Sequence, residues 1–403
     1  MSILKDSVKN LGEISDSVDW GDASKDSFVK SVNYGLTGKA TGLRNGLTRM
    51  NKYIHGMQQG RYLLLAADSG VGKTTLADFM LINAWLDAKR LGRTFHCTYG
   101  SFEVSRTDKM ARWCSYFVGV LYDVHLSVDL ILGRIEGRLL NEDQLEYVKE
   151  GYKYVSDFMK DVTFFEDSMN PTAIFTSIIL DHFKKVGQII RAEPKKKGGV
   201  GRIIDYIPNE EDAYSFLVID HLALMNTEKS MTLKQTMDKM SRYGVILKNR
   251  FKCSCMFIQQ FSTDLLQSRR ESISRKDPSK SWRDITPNRL DLGDSKSTYR
   301  DADYVLGMAK PSDFALEKAM MYRCTPPADT SSGGFGSFLI FLYIMKNKFG
   351  SADAICPLFT NPICGSFYDL PDPYDEDDLD DWYENAVKLD KLCQLNYPKP
   401  EDQ

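Results

Sequence analysis

The sequence lacks any apolar run near the length of a membrane-spanning helix. Such a helix needs about 20 consecutive apolar residues, and polar or charged residues interrupt every apolar stretch of this chain well before that. The first residues, MSILKDSVKNLGEISDS, also lack the apolar core of a secretory signal. We therefore expect a cytoplasmic protein that contacts no membrane.

Paired cysteine knuckles are also lacking. Among eight cysteines, only Cys253 and Cys255 lie close together, and they fall in an apolar, strand-like run rather than in the Cys-x-x-Cys spacing of a zinc site. We interpret all eight as reduced thiols. There is no excess of charge of one sign either. The 52 basic and 55 acidic residues leave a net charge of −3, which by itself does not predict nucleic-acid binding.

What the chain does have is an α/β pattern. With 403 residues, 42% of them hydrophobic, it can bury one large core. Between about residues 60 and 360, strand-like runs mostly alternate with helix-length segments, which predicts a mostly parallel central sheet flanked by helices. The runs are YLLLAA, TFHCTYG, VTFFED, FLVIDH, CMFIQQ, DYVLGM and FLIFLYIM.

The two ends differ from this core in composition. Residues 1–40 are polar apart from Phe28, Val29, Val32 and Leu36, whose spacing predicts a short helix in an N-terminal arm. The segment DLPDPYDEDDLDDWYE has nine acidic residues and no basic ones. It predicts a solvated acidic tail over residues 368–403, with a docking peptide as the alternative. The core domain would then span residues 41–367.

A phosphate-binding loop is predicted where YLLLAA gives way to small residues. The segment ADSGVGKT matches the pattern G-x-x-x-x-G-K-[ST], except that alanine replaces the first glycine. In such a loop, backbone N–H groups and the positive end of the following helix bind phosphates. Lys73 would hold the β- and γ-phosphates of ATP or another nucleoside triphosphate, and the Thr74 hydroxyl would bind Mg²⁺. The predicted nucleotide-binding residues are Ala67, Asp68, Ser69, Gly70, Val71, Gly72, Lys73, Thr74 and Thr75.

Three further strand ends supply candidate catalytic residues. Asp220 ends the run SFLVID and would hold the Mg²⁺ shell through water, unless it only caps a helix. Glu103, in YGSFEVS, is a candidate general base for an attacking water, or else a surface glutamate at a helix start. Gln260 ends the run CMFIQQ, where its amide can sense the γ-phosphate or be an ordinary polar strand end.

Taken in order, these motifs resemble one family. The phosphate loop, Ser-Phe-Glu, Val-Ile-Asp-His-Leu, Gln-Gln, DLGDSKSTYRDADYVL and IMKNKFGS are similar, in that order, to the motif series of DnaB-type replicative helicases, whose motor is a RecA-like domain. The resemblance covers roughly residues 36–365. The Asp-His pair looks more like a bacteriophage member without the N-terminal domain than a bacterial one. Such a member would act in the cytoplasm of a bacterial host.

The resemblance implies a hexameric ring that hydrolyses ATP, translocates on single-stranded DNA and unwinds duplex DNA from 5′ to 3′. Lys346 and Lys348 match basic residues that the family projects into the neighbouring subunit's site, where positive charge offsets charge on the transferred phosphoryl group. Lys348 stands where the family usually has arginine. A lysine cannot make the same forked contact, so Arg300 is an alternative source of that charge.

The resemblance also implies partners for this ring. The predicted helix with Phe28, Val29 and Val32 matches the family's linker helix, which packs on the adjacent subunit; packing on its own core is the alternative. Because a primase module and the large N-terminal domain are missing from this sequence, the candidate partners include a separate primase, a helicase loader and a single-strand-binding protein.

DNA-binding residues are expected in a basic segment, residues 265–289. Seven basic residues stand there against three acidic ones, with serines and Trp282 interleaved. Basic side chains neutralise phosphates and an aromatic ring can stack on a base, whereas the alternative is a solvated loop. The predicted DNA-binding residues are Arg269, Arg270, Arg275, Lys276, Lys280 and Arg283.

Two other classes of protein stay open at this point. A RecA- or KaiC-like recombination ATPase shares the phosphate loop and the glutamate, but would lack the Asp-Ala-Asp segment in this register and would form filaments rather than closed rings. A nucleotide-gated helicase loader would turn nucleotide over slowly, and DNA would not stimulate it.

Overall fold

The computed structural model describes residues 22–38, 40–194, 199–262, 278–293, 296–328 and 333–397. The chain divides between Gly42 and Leu43 into two units. Helix α1, Asp22–Leu36, belongs to the first unit. It begins earlier than a cap at Asp26 or Ser27 would place it, and Phe28 and Leu36 are 56% and 59% exposed.

The second unit contains all the described strands and the remaining helices. The strands are β1 Tyr62–Ala67, β2 Phe95–Ser101, β3 Val162–Phe165, β4 Gly187–Arg191, β5 Ile203–Pro208, β6 Tyr214–Asp220, β7 Ser254–Gln260, β8 Tyr304–Ala309, β9 Lys318–Ala319, β10 Tyr322–Arg323, β11 Leu339–Asn347, β12 Ala354–Asn361 and β13 Ser366–Asp369. The helices are α2 Thr48–Ile54, α3 Lys73–Arg90, α4 Arg106–Tyr122, α5 Val128–Ile131, α6 Glu142–Lys160, α7 Pro171–Ala173, α8 Leu180–Lys185, α9 Leu233–Arg250, α10 Lys296–Asp301 and α11 Glu376–Asn396. Across the described ranges, no helix is both long and apolar enough to cross a bilayer.

A nine-stranded sheet organises the second unit over the described residues. Its strand order is β13-β12-β11-β8-β1-β7-β6-β2-β3. Every pairing from β8 to β3 is parallel, and the three strands at the other edge are antiparallel. The α/β prediction with a mostly parallel central sheet is therefore confirmed.

Strand β1 lies at the middle of this order because it is apolar along its whole length. All six residues of YLLLAA are buried, and the strand is paired with β7 on one side and β8 on the other. A run without polar alternation is typical of a parallel strand covered on both faces. Its last residue, Ala67, lies beside Gln260 of β7 and Met308 of β8. The carboxyl ends of the parallel strands therefore form one edge of the sheet, which we call the near edge.

The C-terminal residues differ from the solvated tail expected over 368–403. The described part of this segment contains β13 and the 21-residue helix α11. Leu379, Tyr383, Ala386 and Leu389 of α11 are buried in a second hydrophobic cluster with Phe335. Their spacing of three or four residues forms one helical stripe. The acidic residues of α11 lie on the exposed positions between them, so high charge and a packed helix coexist.

This packing generates a stability prediction. Leu389→Ala should lower the free energy of unfolding by about 2 to 4 kcal/mol, because it removes a buried side chain and leaves a cavity. Leu395→Ala is the matched control on the same helix, since Leu395 is 60% exposed, and it should change stability by less than about 0.5 kcal/mol. Urea denaturation of both variants measures the difference. Equal, small effects would contradict the packed helix.

Candidate nucleotide-binding site

The predicted phosphate loop leads directly from β1 into α3. Ala67 ends the strand and Lys73 begins the helix. Gly70 and Gly72 have φ angles of 77° and 102°, in the left-handed region that glycine adopts without strain. A Cβ built on Gly70 would meet no atom within 4 Å, so the loop leaves open space on that side. The loop therefore wraps around a space that a phosphate can enter.

Lys73 lies across this loop. Its ammonium donates a hydrogen bond to the Asp68 carbonyl oxygen at 2.6 Å. Burial lowers the pKa of Lys73, and the nearby Asp68, Glu103 and Asp220 carboxylates oppose that shift. The side chain thus places a positive charge at the phosphate-binding turn, next to the positive end of α3.

Thr74 and Asp220 meet at the near edge, as expected for a magnesium site. The Thr74 hydroxyl donates to Asp220 Oδ1 at 3.0 Å. Asp220 ends β6 and is only 1% exposed. A hydroxyl and a carboxylate are the hard oxygen donors that Mg²⁺ prefers. The residues present therefore fit Mg²⁺, and they would hold it next to the phosphate loop.

Glu103 lies on the same edge but in a different environment. It follows β2, whose last residue Ser101 lies beside Asp220 in the sheet. Its side chain is 58% exposed, and His221 Nε2 lies 3.9 Å from its carboxylate. Burial lowers the pKa of His221, while the Glu103 and Asp220 carboxylates oppose the shift. An exposed carboxylate beside a nucleotide site is able to contact water there.

The two glutamines of β7 have separate positions. Gln260 lies beside Ala67 in the parallel register, and so next to the phosphate loop. Gln259 is buried; its amide donates to the Leu292 carbonyl at 3.3 Å and accepts from the Thr298 hydroxyl at 2.8 Å. Gln259 thus fastens the Asp291 region to the sheet, which leaves Gln260 as the residue available to the site.

A cavity of about 520 Å³ adjoins the loop on the α4 side. Its lining includes Thr75 of α3, Glu103, Arg112 of α4, and Cys364 and Gly365 of the turn between β12 and β13. A Cβ built on Gly365 would lie 3.0 Å from the Thr75 side chain. The small residue therefore helps to keep the cavity open next to the first turn of α3.

Lys346 and Lys348 are not brought to this site. The end of β11 pairs with the start of β8, with Lys346 beside Val305 and Asn347 beside Tyr304. Tyr304 lies beside Leu63, four residues before Ala67 on β1. Four residues of strand span about 13 Å. The two lysines therefore lie at the far edge of the sheet, where the parallel strands begin.

Carbonyl and carboxylate groups of the same chain position these lysines. Lys346 donates to the Tyr299 and Arg300 carbonyls at 2.7 and 2.9 Å. Burial, together with the Lys348 ammonium, lowers the pKa of Lys346 to about 8. Lys348 donates to Asp303 Oδ1 at 3.1 Å and keeps 38% of its side chain exposed. Arg300, the alternative, is 72% exposed and bonds Asp301 at 3.1 Å.

Asp303 connects this lysine to the core. Its carboxylate accepts from Lys248 at 2.6 Å and from the Tyr62 N–H at 3.0 Å, in addition to Lys348. Burial raises the pKa of the Asp303 carboxyl, but the hydrogen bonds from Lys248, Tyr62 and Lys348 outweigh burial and hold the pKa below its ordinary value of 3.8. The carboxylate form therefore stabilises the fold.

Most of the predicted DNA-binding residues lie outside the described residues. These are Arg269, Arg270, Arg275 and Lys276, together with the side chain of Lys280. Arg283 is described and exposed, with its guanidinium 5.3 Å from the ring centre of Trp282. Trp282 is partly buried against the second hydrophobic cluster. Its ring is thus already in contact with protein.

The sequence reasoning missed three residues behind the site. Lys109 of α4 is fully buried, and its ammonium contacts Asp78 of α3, Tyr99 of β2 and Asp220. A local signal existed. Lys109 stands four residues before Trp113 and eight before Phe117, on the buried stripe of α4, where a charged residue is unexpected.

Comparison with solved structures identifies the fold. A protein solved as an isolated ATPase domain is similar at a TM-score of 0.59 and 15% identity, over 86% of this chain and 98% of that one. A DnaB-like replicative helicase, studied together with its interactions with primase, is similar at 0.58 and 15%, over 91% and 75%. A KaiC-like protein from Pyrococcus horikoshii OT3 is similar at 0.42 and 12%, over 82% and 100%. Neither a family model nor a curated protein matches the sequence.

At these identities the likeness is one of fold. The second unit has the RecA-like fold found in the ATPase domains of DnaB-type helicases, as the motif order predicted.

The Asp303 contacts generate a pH-dependent prediction. Asp303→Asn should lower the free energy of unfolding by about 3 to 5 kcal/mol at pH 7, because it leaves the largely buried Lys248 without a counter-charge. Since the pKa of Asp303 is lower in the folded than in the unfolded chain, this stabilisation is present above 3.8. It is lost as the pH falls through the lower, folded value. Urea denaturation from pH 7 down to 3 should show the two proteins converging; a constant difference would contradict the ion pair.

Proposed function

We propose that this protein is an ATP-dependent DNA helicase of the DnaB type. It would form a hexameric ring, translocate on single-stranded DNA and unwind duplex DNA from 5′ to 3′. The observation that carries this proposal is the division of the predicted motor residues between the two edges of one sheet. The phosphate loop, Thr74, Asp220 and Glu103 lie at the near edge, and Lys346 and Lys348 lie at the far edge.

At the near edge each residue has one task. The loop N–H groups and Lys73 bind the phosphates of the nucleotide, and the nearby cavity has room for its base and sugar. Mg²⁺, when bound, would bridge phosphate oxygens and offset their charge. Thr74 and Asp220 hold the metal shell. Glu103 orients the attacking water and accepts its proton, and its exposure lets water reach it.

At the far edge, Lys346 and Lys348 act on the nucleotide of a neighbouring copy. They lie one strand length from their own phosphate loop, so a head-to-tail contact is needed to bring them to a γ-phosphate. A repeated head-to-tail contact that closes makes a ring. The positive charge would offset charge on the transferred phosphoryl group. The solved DnaB-like helicase interacts with a primase, and we propose a separate primase as one partner here, beside a loader or a single-strand-binding protein.

For the DNA contact we propose the basic segment, residues 265–289. Arg269, Arg270, Arg275, Lys276, Lys280 and Arg283 would neutralise backbone phosphates, which makes binding weaken as salt rises. The segment follows β7 and Gln260, so an amide that senses the γ-phosphate is directly connected to it along the chain. This connection is the route by which hydrolysis would move the DNA-binding residues.

The first test of the function is ATP turnover with and without single-stranded DNA, with particle mass read by light scattering in the same samples. We expect strong stimulation by DNA and a mass near six copies of the 45.9 kDa chain. Slow turnover that DNA leaves unchanged, by a monomer or dimer, would favour the loader. Growth into filaments on DNA would favour a recombination ATPase.

The role of Glu103 is tested by Glu103→Gln. Turnover should fall by about 100-fold or more, because the amide cannot accept the proton of the attacking water. Binding of a fluorescent ATP analogue should stay within about twofold of wild type, since Glu103 contributes no charge that the phosphates need. Lys73→Ala is the contrasting variant, in which binding and turnover should both be lost. Normal turnover by Glu103→Gln would overturn its assignment as the base.

The role of Lys348 across a subunit contact is tested by mixing. When Lys348→Ala is doped into wild-type protein, ATP turnover should fall more steeply than the fraction of variant, because each variant copy disables its neighbour's site and interrupts sequential firing around the ring. Lys388→Ala removes an exposed lysine on α11, and the same doping should leave turnover unchanged. A linear fall with Lys348→Ala would argue against action across an interface.

A further inference from the structure

A fully buried lysine lies directly behind the carboxylate of Asp220. Lys109 of α4 has no exposed surface, although a lysine is almost never fully buried unless it is paired. Its ammonium contacts Asp78 Oδ1 and Oδ2 at 3.1 and 3.0 Å, the Tyr99 hydroxyl at 2.6 Å and Asp220 Oδ2 at 3.3 Å. An ammonium has three N–H donors, and each finds an acceptor here.

The remaining polar groups of this cluster are also satisfied. The Tyr99 hydroxyl accepts from Lys109 and donates to Asp78 Oδ1 at 2.8 Å. Burial, followed by the Asp78 and Asp220 charges, raises the pKa of Tyr99 well above its ordinary value, so the hydroxyl keeps its proton and its role as a donor. A buried polar network with every member satisfied has one well-defined geometry. It joins α3, β2, α4 and β6 behind the phosphate loop.

The two oxygens of Asp220 consequently face different partners. Oδ1 accepts from the Thr74 hydroxyl at 3.0 Å, and Oδ2 accepts from Lys109 at 3.3 Å. Without Lys109 the carboxylate would have one described side-chain partner and would be free to turn about its last bond. The ammonium also offsets part of the charge of the two buried carboxylates, Asp78 and Asp220.

We propose that Lys109 is a positioning residue for the metal side of the nucleotide site. It holds Asp220 by Oδ2, so that Oδ1 stays beside Thr74 and ready to receive the shell of the Mg²⁺ that accompanies the nucleotide. The residue touches neither nucleotide nor metal and acts only through Asp220. This inference rests on the proposed function to the extent that the site binds a magnesium nucleotide; it does not depend on DNA or on a ring.

The measurable consequence is the coupling between Mg²⁺ and nucleotide. The dissociation constant of a fluorescent, non-hydrolysable ATP analogue is measured on the full chain with Mg²⁺ and again with EDTA. The ratio of the two constants reports how well Mg²⁺ assists binding. In Lys109→Met, which keeps the length of the side chain and removes the charge, the Mg²⁺ effect should fall by about tenfold, the size typical of lost support behind a metal ligand. Affinity in EDTA should stay near that of wild type.

A second variant keeps the test valid if Lys109→Met folds poorly. Removing the ammonium alone leaves Asp78 buried without a counter-charge, which is strongly destabilising. Lys109→Met combined with Asp78→Leu replaces that ion pair by apolar groups, an exchange that proteins often tolerate. This double variant should show the same tenfold loss. Tyr99→Phe is the control: it removes one hydroxyl from the cluster and leaves the Lys109–Asp220 contact, so its Mg²⁺ effect should stay within about twofold of wild type.

The outcomes separate the two proposals. If wild type itself shows no Mg²⁺ effect, the magnesium nucleotide site fails, and the proposed function fails with it. If wild type shows the effect and both Lys109 variants retain it, the positioning role of Lys109 is wrong while the function stands. A larger Mg²⁺ effect in the variants would mean that the ammonium only repels the metal, which also overturns the inference. Urea denaturation of each variant separates a loss of stability from a change in the ratio.

Discussion

The pairing of strand β1 at both of its ends is the constraint on which the rest of the structure depends. At its start, the Tyr62 N–H donates to Asp303 Oδ2, and the Tyr62 carbonyl accepts from the Asp303 N–H at 2.7 Å. At its end, the Ala67 carbonyl accepts from the Phe261 N–H at 3.0 Å. Buried backbone groups need such partners. One six-residue strand therefore sets the position of the phosphate loop at one edge and of the Asp303 cluster at the other.

The two edges differ in the balance of buried charge. Behind the near edge, one ammonium, Lys109, lies between two carboxylates, Asp78 and Asp220. At the far edge, one carboxylate, Asp303, lies between two ammonium groups, Lys248 and Lys348. A negative near edge suits a metal ion, and a positive far edge suits a phosphate. This opposite polarity supports the proposed head-to-tail contact, because the same two surfaces are complementary between copies.

Environment also separates the carboxylates that share the near edge. Asp220 is held by a hydroxyl and an ammonium and is almost fully buried, whereas Glu103 is largely exposed beside His221. The first arrangement fits a group that must not move, and the second fits a group that must meet water. Both residues end neighbouring strands in the sequence, so their different tasks follow from what packs around them rather than from their type.

Local patterns were enough to predict the strands and the phosphate loop. YLLLAA, SFLVID and CMFIQQ are continuous apolar runs, and burial on both faces of a parallel sheet needs such runs. The loop was readable because its small residues and Lys73 have a spacing that the turn itself requires. The helix α11 was missed because its charge was weighed above its stripe. Leu379, Tyr383, Ala386 and Leu389 recur at helical spacing among the acids, but a stripe has no value until a partner surface covers it.

The sequence by itself therefore determined the fold class, the nucleotide loop and the identity of the strand-end side chains, since each depends on residues that are close along the chain. Only the tertiary structure decided which of these side chains meet. Asp78, Tyr99, Lys109 and Asp220 come from four elements, and the strand order brings them into one cluster. The same order carries Lys346 and Lys348 away from the phosphate loop of their own chain. Contacts between residues far apart in sequence depend on how strands are ordered in the sheet, and no local pattern encodes that order.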